Sequence, residues 1–293
     1  MDNVLVIGGS GFLGSHVADV LTERGYKVTV FDSKVSPWIK DNQNMLVGDM
    51  FDRSLLAEAM KEVRYVYHLA GIADIVEAKD RPYDAINLNI MGTTLAMQEA
   101  INAGVERFLY ASTMYVYSPY GSFYRASKQS AETIIEAYHE QYGIDFTFLR
   151  YGSLYGPRAQ DWNGLRRYIK QVLLDGRLEY WGTGKERREY IHVRDAAKLS
   201  VNMLDSDYKN RAITVTGHQV LNSEELIDLI FEIAGKDKNI EFMGSDERRG
   251  HYIMTPYRYT PKQAQKIVPD EFTDIGEGVL EVVEEIYKEV LEK

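Results

Sequence analysis

Tyr124 and Lys128 stand four residues apart in the segment FYRASKQSAE. On a helix, positions i and i+4 share one face. A lysine ammonium beside a phenol favours the phenolate and lowers a pKa that is ordinarily about 10. A tyrosine so placed can take and return a proton near neutral pH. Upstream runs ASTMYVY, whose hydroxyls Ser112 and Thr113 fall at the end of a predicted strand. Strand ends are where open α/β sheets place ligands, and a hydroxyl there can hydrogen-bond a carbonyl or an alkoxide. Any helix can carry Tyr and Lys at this spacing, so the pair gains meaning only from the elements that would position it.

Those elements begin at the N-terminal end. The segment VLVIGGSGFLGSH places Gly8, Gly11 and Gly14 after an apolar run and at the opening of an amphipathic one. Gly8 suits a tight turn, Gly11 allows close approach of a pyrophosphate, and Gly14 lets the helix pack against the strand. The helix start offers unpaired N–H groups to phosphate. Asp32 closes the next strand and can accept both ribose hydroxyls of NAD while repelling the 2′-phosphate of NADP; Lys34 argues mildly the other way. Asp49, in MLVGDM, can accept an adenine amino group or simply cap a turn.

Strands are expected at 4–7, 28–31, 45–47, 65–69, 108–112 and 146–149, alternating with helices at 12–24, 55–61, 92–103 and 126–142. This alternation predicts a Rossmann-type, doubly wound parallel α/β sheet over residues 1–155. A smaller α/β substrate-binding region follows over 156–293, with the strand and helix near 188–200 returning to the first domain. Helices are expected at 165–174, at 223–234 with Ser223 as its cap, and at 276–293; short strands are expected at 190–193 and 213–216. A net charge of −10 argues against a nucleic-acid binder. The lack of cysteine excludes disulfides and thiolate chemistry and fits a reducing, cytoplasmic compartment. No apolar run long enough for a membrane span and no basic, leader-like start is present. The six histidines show no close-spaced metal-ligand pattern, so structural roles and no metal are expected.

Taken in order, GGSGFLG, Asp32, GDM, HLAG (68–71), NIMGT (89–93), STMYVY, YRASK, LRYGSLYGPR (149–158) and RREYIHVRDAA (187–197) resemble the extended short-chain dehydrogenases/reductases of the NAD-dependent nucleotide-sugar epimerase/dehydratase kind. The resemblance implies a catalytic set of Thr113, Tyr124 and Lys128, with Lys128 also holding the nicotinamide ribose. It implies an NAD site built from Gly8, Gly11, Phe12, Leu13, Gly14, Asp32, Ser33, Asp49, Met50, Leu69, Ala70, Gly71, Arg81, Asn89, Ser112, Lys128 and Tyr151. Substrate contacts would come from Thr113, Tyr124, Ser153, Arg188 and Arg249, the arginines gripping a diphosphate through their planar fork. Arg248 rivals Arg249, and Ser153 stands where many relatives carry Asn. The implied partners are a UDP-, GDP- or dTDP-sugar and a second copy of the chain, paired through a four-helix bundle of the helices near 92–103 and 126–142.

Departures from the family pattern narrow the chemistry. Dehydratases of this family place Asp-Glu after the catalytic Thr, and decarboxylases usually place Glu at the second position; here the pair is Met114-Tyr115. Hydride chemistry at sugar C4 survives, as 4-epimerase or 4-dehydrogenase/reductase. The segment from Thr113 to Tyr124 is short, implying a more open pocket, a larger sugar, or cover from elsewhere. Two other readings stand beside this one. One is a reductase or dehydrogenase of a non-nucleotide ketone or alcohol, which would leave the arginines no anion to bind. The other is a dinucleotide-sensing regulator without turnover, against which the intact Tyr–Lys pair speaks.

Overall fold

The computed structural model describes residues 1–217, 220–244, 254 and 256. Twelve strands are placed among them: β1 (Asn3–Ile7), β2 (Lys27–Asp32), β3 (Asn44–Val47), β4 (Tyr65–His68), β5 (Arg107–Thr113), β6 (Asp145–Tyr151), β7 (Ser153–Tyr155), β8 (Leu178–Tyr180), β9 (Arg187–His192), β10 (Arg211–Val215), β11 (Val220–Asn222) and β12 (Ile240–Phe242). The helices are α1 (Phe12–Glu23), α2 (Arg53–Ala59), α3 (Ile75–Asp80), α4 (Pro82–Ile86), α5 (Gly92–Asn102), α6 (Ser122–Tyr142), α7 (Gly164–Asp175), α8 (Val193–Asn202) and α9 (Ser223–Ala234). A π-helical turn, Asn87–Met91, joins α4 to α5.

Seven strands form one all-parallel sheet in the order β10-β6-β5-β4-β1-β2-β3. Side chains alternate across it, as a strand's period of two requires. Leu5, Ile7, Phe108, Tyr110 and Phe148 pack on one face with α2, α5 and α6. Val4, Val6, Leu109, Leu149 and Tyr151 pack on the other with α1 and α8. Burial on both faces accounts for the nearly unbroken apolar run of β1. The order reverses between β1 and β4, so their carboxyl ends open a crevice, the place where such sheets bind ligands. The expected Rossmann-type sheet is therefore the one found. A smaller layer contains the sheet β11-β9-β7 and the pair β12-β8, with α7 and α9 packed around Val172, Tyr180, Ile227 and Phe231.

Several boundaries differ from expectation. The long helix starts at Ser122, not Ala126, after Gly121 in a left-handed conformation, so Tyr124 sits in its first turn. The cap of α9 is Asn222 rather than Ser223, in a reciprocal box with Glu225. The helices α3 and α4 and the π turn occupy a stretch with no expected element. The expected helix at 276–293 lies outside the described residues. Residues of the second half, α8 and β10, complete the main sheet's layer: β10 pairs with β6, and Ala196, Ala197 and Val201 join the core under β1 and β5. A chain ending at residue 155 should consequently fail to fold. Circular dichroism and a proton–nitrogen correlation spectrum of residues 1–155 check this; a dispersed, cooperatively melting spectrum would contradict it.

Candidate active site

The glycine turn after β1 and the segment after β4 are built against each other. Gly8 has a positive φ of 84°, and a Cβ there would lie 2.5 Å from the Ala70 backbone nitrogen. A side chain on Gly14 would collide with the Gly8 carbonyl. Gly11 is different: a Cβ there would meet only the Gly8 oxygen, at 3.2 Å. It caps α1 without a side-chain hydrogen bond, and no acidic residue occupies the first turn. A bare helix start of this kind is a phosphate cradle. Phe12 and Leu13 turn their side chains inward, against Ala159, Val193 and Leu154, so what they can offer a cofactor is backbone N–H.

Asp32 closes β2 beside the glycine turn. Its Oδ2 accepts the Ser10 N–H at 3.0 Å and its Oδ1 accepts the Lys34 N–H at 3.2 Å, with the Ser33 hydroxyl at 3.5 Å. The carboxylate thus braces the glycine turn and keeps lone pairs for hydroxyl donors. Asp49 accepts the Phe51 N–H at 3.0 Å, capping its own turn, while Met50 is buried against Gly92. Leu69 continues from β4 by donating its N–H to the Ile7 carbonyl at 2.8 Å. Gly71 has φ 138°, and a side chain there would also strike Asn89 Oδ1.

The chemical pair lies on the inner face of α6, where Tyr124, Ser127, Lys128, Ala131, Glu132 and Ile135 form one buried stripe. Lys128 is 5% exposed. Its ammonium donates to the Ala111 carbonyl at 2.8 Å and stands 4.8 Å over the Tyr110 ring. Burial pulls its pKa down to about 8, against the opposing pull of Glu132. Thr113 ends β5, with Oγ1 accepting the Tyr115 N–H at 3.2 Å; its hydroxyl proton remains for a ligand. The Tyr124 ring, 8% exposed, meets Tyr115 edge-on at 5.9 Å. Ile72, Ile75, Ala78, Ala85 and Leu88 complete that cluster. Cover for the site therefore comes from α3, α4 and Tyr115. The short 118–121 loop reinforces it, since a Cβ on Gly121 would lie 2.8 Å from the Tyr115 ring.

Not every expected residue points into this crevice. Ser112 donates its hydroxyl to Glu132 on α6. Asn89 is a brace: Oδ1 accepts the Ile72 N–H at 2.8 Å, and Nδ2 donates to the Ile72 carbonyl at 3.0 Å and to Ser127 Oγ at 2.9 Å. Tyr151 lies on the α1/α8 face of the sheet, its hydroxyl 2.6 Å from Ser200 Oγ. It follows Leu149 by two residues and shares its face. Arg81 is exposed, between Glu77 at 3.0 Å and Asp84 at 2.8 Å. Ser153 pairs with Tyr190 across β7 and β9, two residues from Arg188 on the same strand. Arg249 and its rival Arg248 lie outside the described residues. His68 is buried between Phe108 and Tyr110 and bonds Thr93 at 3.0 Å; burial lowers its pKa to about 3, so it is neutral and structural. Missed from sequence was Glu132, although its spacing from Lys128 repeats that of Lys128 from Tyr124.

A phosphate cradle at the sheet's reversal point, an acid at the end of β2 and a Tyr–Lys face beside a Thr define a dinucleotide-dependent oxidoreductase site. The family model described as NAD dependent epimerase/dehydratase family matches residues 4–216. The chain belongs to this family, and NAD is its cofactor; the cradle and Asp32 fit that group. The UDP-N-acetyl-alpha-D-glucosaminuronate decarboxylase of Bacillus cytotoxicus is 27% identical over 263 residues, covering 80% of this chain and 81% of that protein. The putative UDP-glucose 4-epimerase of Methanocaldococcus jannaschii is 27% identical over 254 residues, covering 78% and 81%. Among solved structures, the Thermotoga maritima UDP-glucose 4-epimerase with UDP-glucose superposes with a TM-score of 0.80 at 26% identity, covering 88% of this chain and 90% of that one. The Thermus thermophilus UDP-glucose 4-epimerase complex with NAD gives 0.77 at 26% identity, with 88% and 90% covered.

Two outcomes follow from this geometry. Gly8→Ala should abolish NAD binding and lower Tm, read by calorimetry; unchanged affinity would contradict the close packing of the two turns. Lys128 carries a burial cost while it is charged, below about pH 8, and the cost fades as pH rises from 8 toward 10.5. Lys128→Met should therefore stabilise the fold near neutral pH by up to about 3 kcal/mol. Urea unfolding at about pH 7 and about pH 10 checks the sign: the gain should shrink at the higher pH.

Proposed function

We propose that this chain is an NAD-dependent nucleotide-sugar enzyme working by redox chemistry at sugar C4, as a 4-epimerase or a 4-dehydrogenase/reductase, and not as a 4,6-dehydratase. The observation that carries this reading is the pair following Thr113. Met114 is fully buried and Tyr115 is 9% exposed and packed on Tyr124. Neither side chain is a carboxylic acid, so no carboxyl group follows Thr113 to protonate a leaving hydroxyl. When bound, NAD accepts and returns a hydride. Thr113 orients the reacting oxygen by hydrogen bonding, and Tyr124 takes its proton, leaving a 4-keto sugar. The buried Lys128 charge favours the phenolate that makes this transfer feasible. On return Tyr124 gives the proton back, to the inverted alcohol in an epimerase.

The first domain, residues 1–155, then holds the dinucleotide and the reacting group, and the region after 155 supplies most of the remaining substrate pocket, while α8 and β10 return to the first domain's layers. Ser153 and Arg188 on the smaller sheet, with Arg249, would face the diphosphate of a UDP-, GDP- or dTDP-sugar. Exposed faces of α5 and α6 would pair two copies of the chain, and a cytoplasmic enzyme fits both the substrates and the absence of cysteine. The similarity to decarboxylases supplies the competing reading, in which the sugar is a uronate losing CO2. That reaction also begins with oxidation at C4, so Tyr124 and Lys128 serve it equally, and only the product separates the two.

The test is conversion of a panel of UDP-, GDP- and dTDP-sugars, uronates included, by the NAD-loaded protein. Turnover at C4 without loss of water or CO2 is expected, with kcat falling at least about 100-fold in Tyr124→Phe. Formation of a 4-keto-6-deoxy sugar, or release of CO2, would overturn the epimerase or dehydrogenase/reductase assignment in favour of a dehydratase or a decarboxylase. Tyr115→Ala, which opens the wall beside Tyr124, should raise KM more than it lowers kcat; the reverse split would remove Tyr115 from the pocket.

A further inference from the structure

The buried face of α6 carries one group that the redox scheme does not use. Glu132 lies one turn past Lys128, as Lys128 lies one turn past Tyr124. Its side chain is 9% exposed and its carboxylate is fully engaged. Arg150, on β6, donates from Nε at 3.0 Å and from a terminal nitrogen at 2.6 Å. Ser112, on β5 beside Thr113, donates its hydroxyl to Glu132 Oε1. The remaining terminal nitrogen of Arg150 reaches the Tyr117 hydroxyl at the end of the turn that carries Tyr115. One carboxylate thus ties together the helix bearing Tyr124 and Lys128, the strand end bearing Thr113, and the turn bearing Tyr115.

Two charges in a buried site are costly unless paired, and a fork-on-carboxylate pair is the strong form of such pairing. This pair stands where it serves more than packing. The groups facing Lys128 are His68 from β4, Tyr110 from β5, and Tyr124 and Glu132 from its own helix. His68 is neutral, and burial holds the Tyr110 phenol uncharged. Glu132 is therefore the anion whose field sustains the buried ammonium. Arg150 holds that anion in a fixed geometry, a hydrogen-bonding distance from Ser112 rather than swung onto Lys128.

We propose that Glu132, clamped by Arg150, is a positioning residue for the acid/base step. It sets the separation of Thr113 from Tyr124 and keeps Lys128 charged at neutral pH without pairing to it. The proposal rests on the assignment of Tyr124 and Lys128 as the proton-handling pair, and its test does not need the substrate. Lysine labelled with carbon-13 at Cε in the full chain reports the Lys128 titration directly, with Lys128→Arg giving the assignment. Wild type should titrate far below ordinary lysines, near pH 8. Glu132→Gln should move that titration down by about one pH unit, and Arg150→Met should move it up as the carboxylate is released toward the ammonium. A merely structural role would lower Tm and leave the titration where it was, and that result overturns the proposal. If Glu132→Gln does not fold, Glu132→Asp and Arg150→Lys decide it. Each keeps the charge but not the geometry, and each should shift the titration in the direction of its parent variant; no shift in either again overturns the proposal. Should the titration move as expected while no nucleotide sugar is converted, the positioning stands and the functional assignment falls.

Discussion

The constraint on which the site depends is the ammonium of Lys128 held out of water. A charge with 5% exposure is expensive, and the fold answers that expense in three places. The Ala111 carbonyl of β5 accepts its hydrogen bond, the Tyr110 ring lies beneath it, and Glu132 supplies a compensating field. The cost itself is useful. In the proposed chemistry, a lysine that would be an ordinary exposed cation elsewhere becomes a charge placed one helical turn from the Tyr124 phenol with little solvent around it.

Positioning follows from the sheet. A parallel strand ends where its helix begins, so β5 delivers Thr113 and α6 delivers Tyr124 and Lys128 to the same end of the sheet. The reversal between β1 and β4 opens the cofactor crevice at that end. Gly8 and Gly71 permit the two loops to touch, and Asn89 stitches the second of them to Ser127 on α6. The segment after β4 and the helix that carries Tyr124 and Lys128 are therefore joined by direct hydrogen bonds through the Asn89 side chain.

Much of this was legible from residue order alone. The glycine turn, Asp32, the strands of the first half and the Tyr–Lys face depend on local pattern, and local pattern determined them. What escaped was nonlocal or a matter of parity. Ser112 and Asn89 resembled cofactor contacts, yet buried partners from α6 and from Ile72 claim their polar atoms. Tyr151 shares its face with Leu149, two residues before it, and its hydroxyl meets Ser200 on α8, a partner far away in sequence. The segment 72–88 carries no strong periodicity because its two short helices and π turn are held by the cluster around Tyr115 and Tyr124. Glu132 stands among several charged residues of its helix, and only its register with Lys128 marks it as inside.

The central claim is that Tyr124 moves a proton while the bond at sugar C4 is oxidised and remade. A nucleotide sugar deuterated at C4, turned over by the NAD-loaded protein in ordinary water and followed by NMR, tests it most directly. The account predicts that deuterium either stays on C4 of the inverted sugar or leaves with the cofactor as the 4-keto product forms, and that Tyr124→Phe stops both. Deuterium appearing at C6, or washed from C4 into solvent, would contradict it.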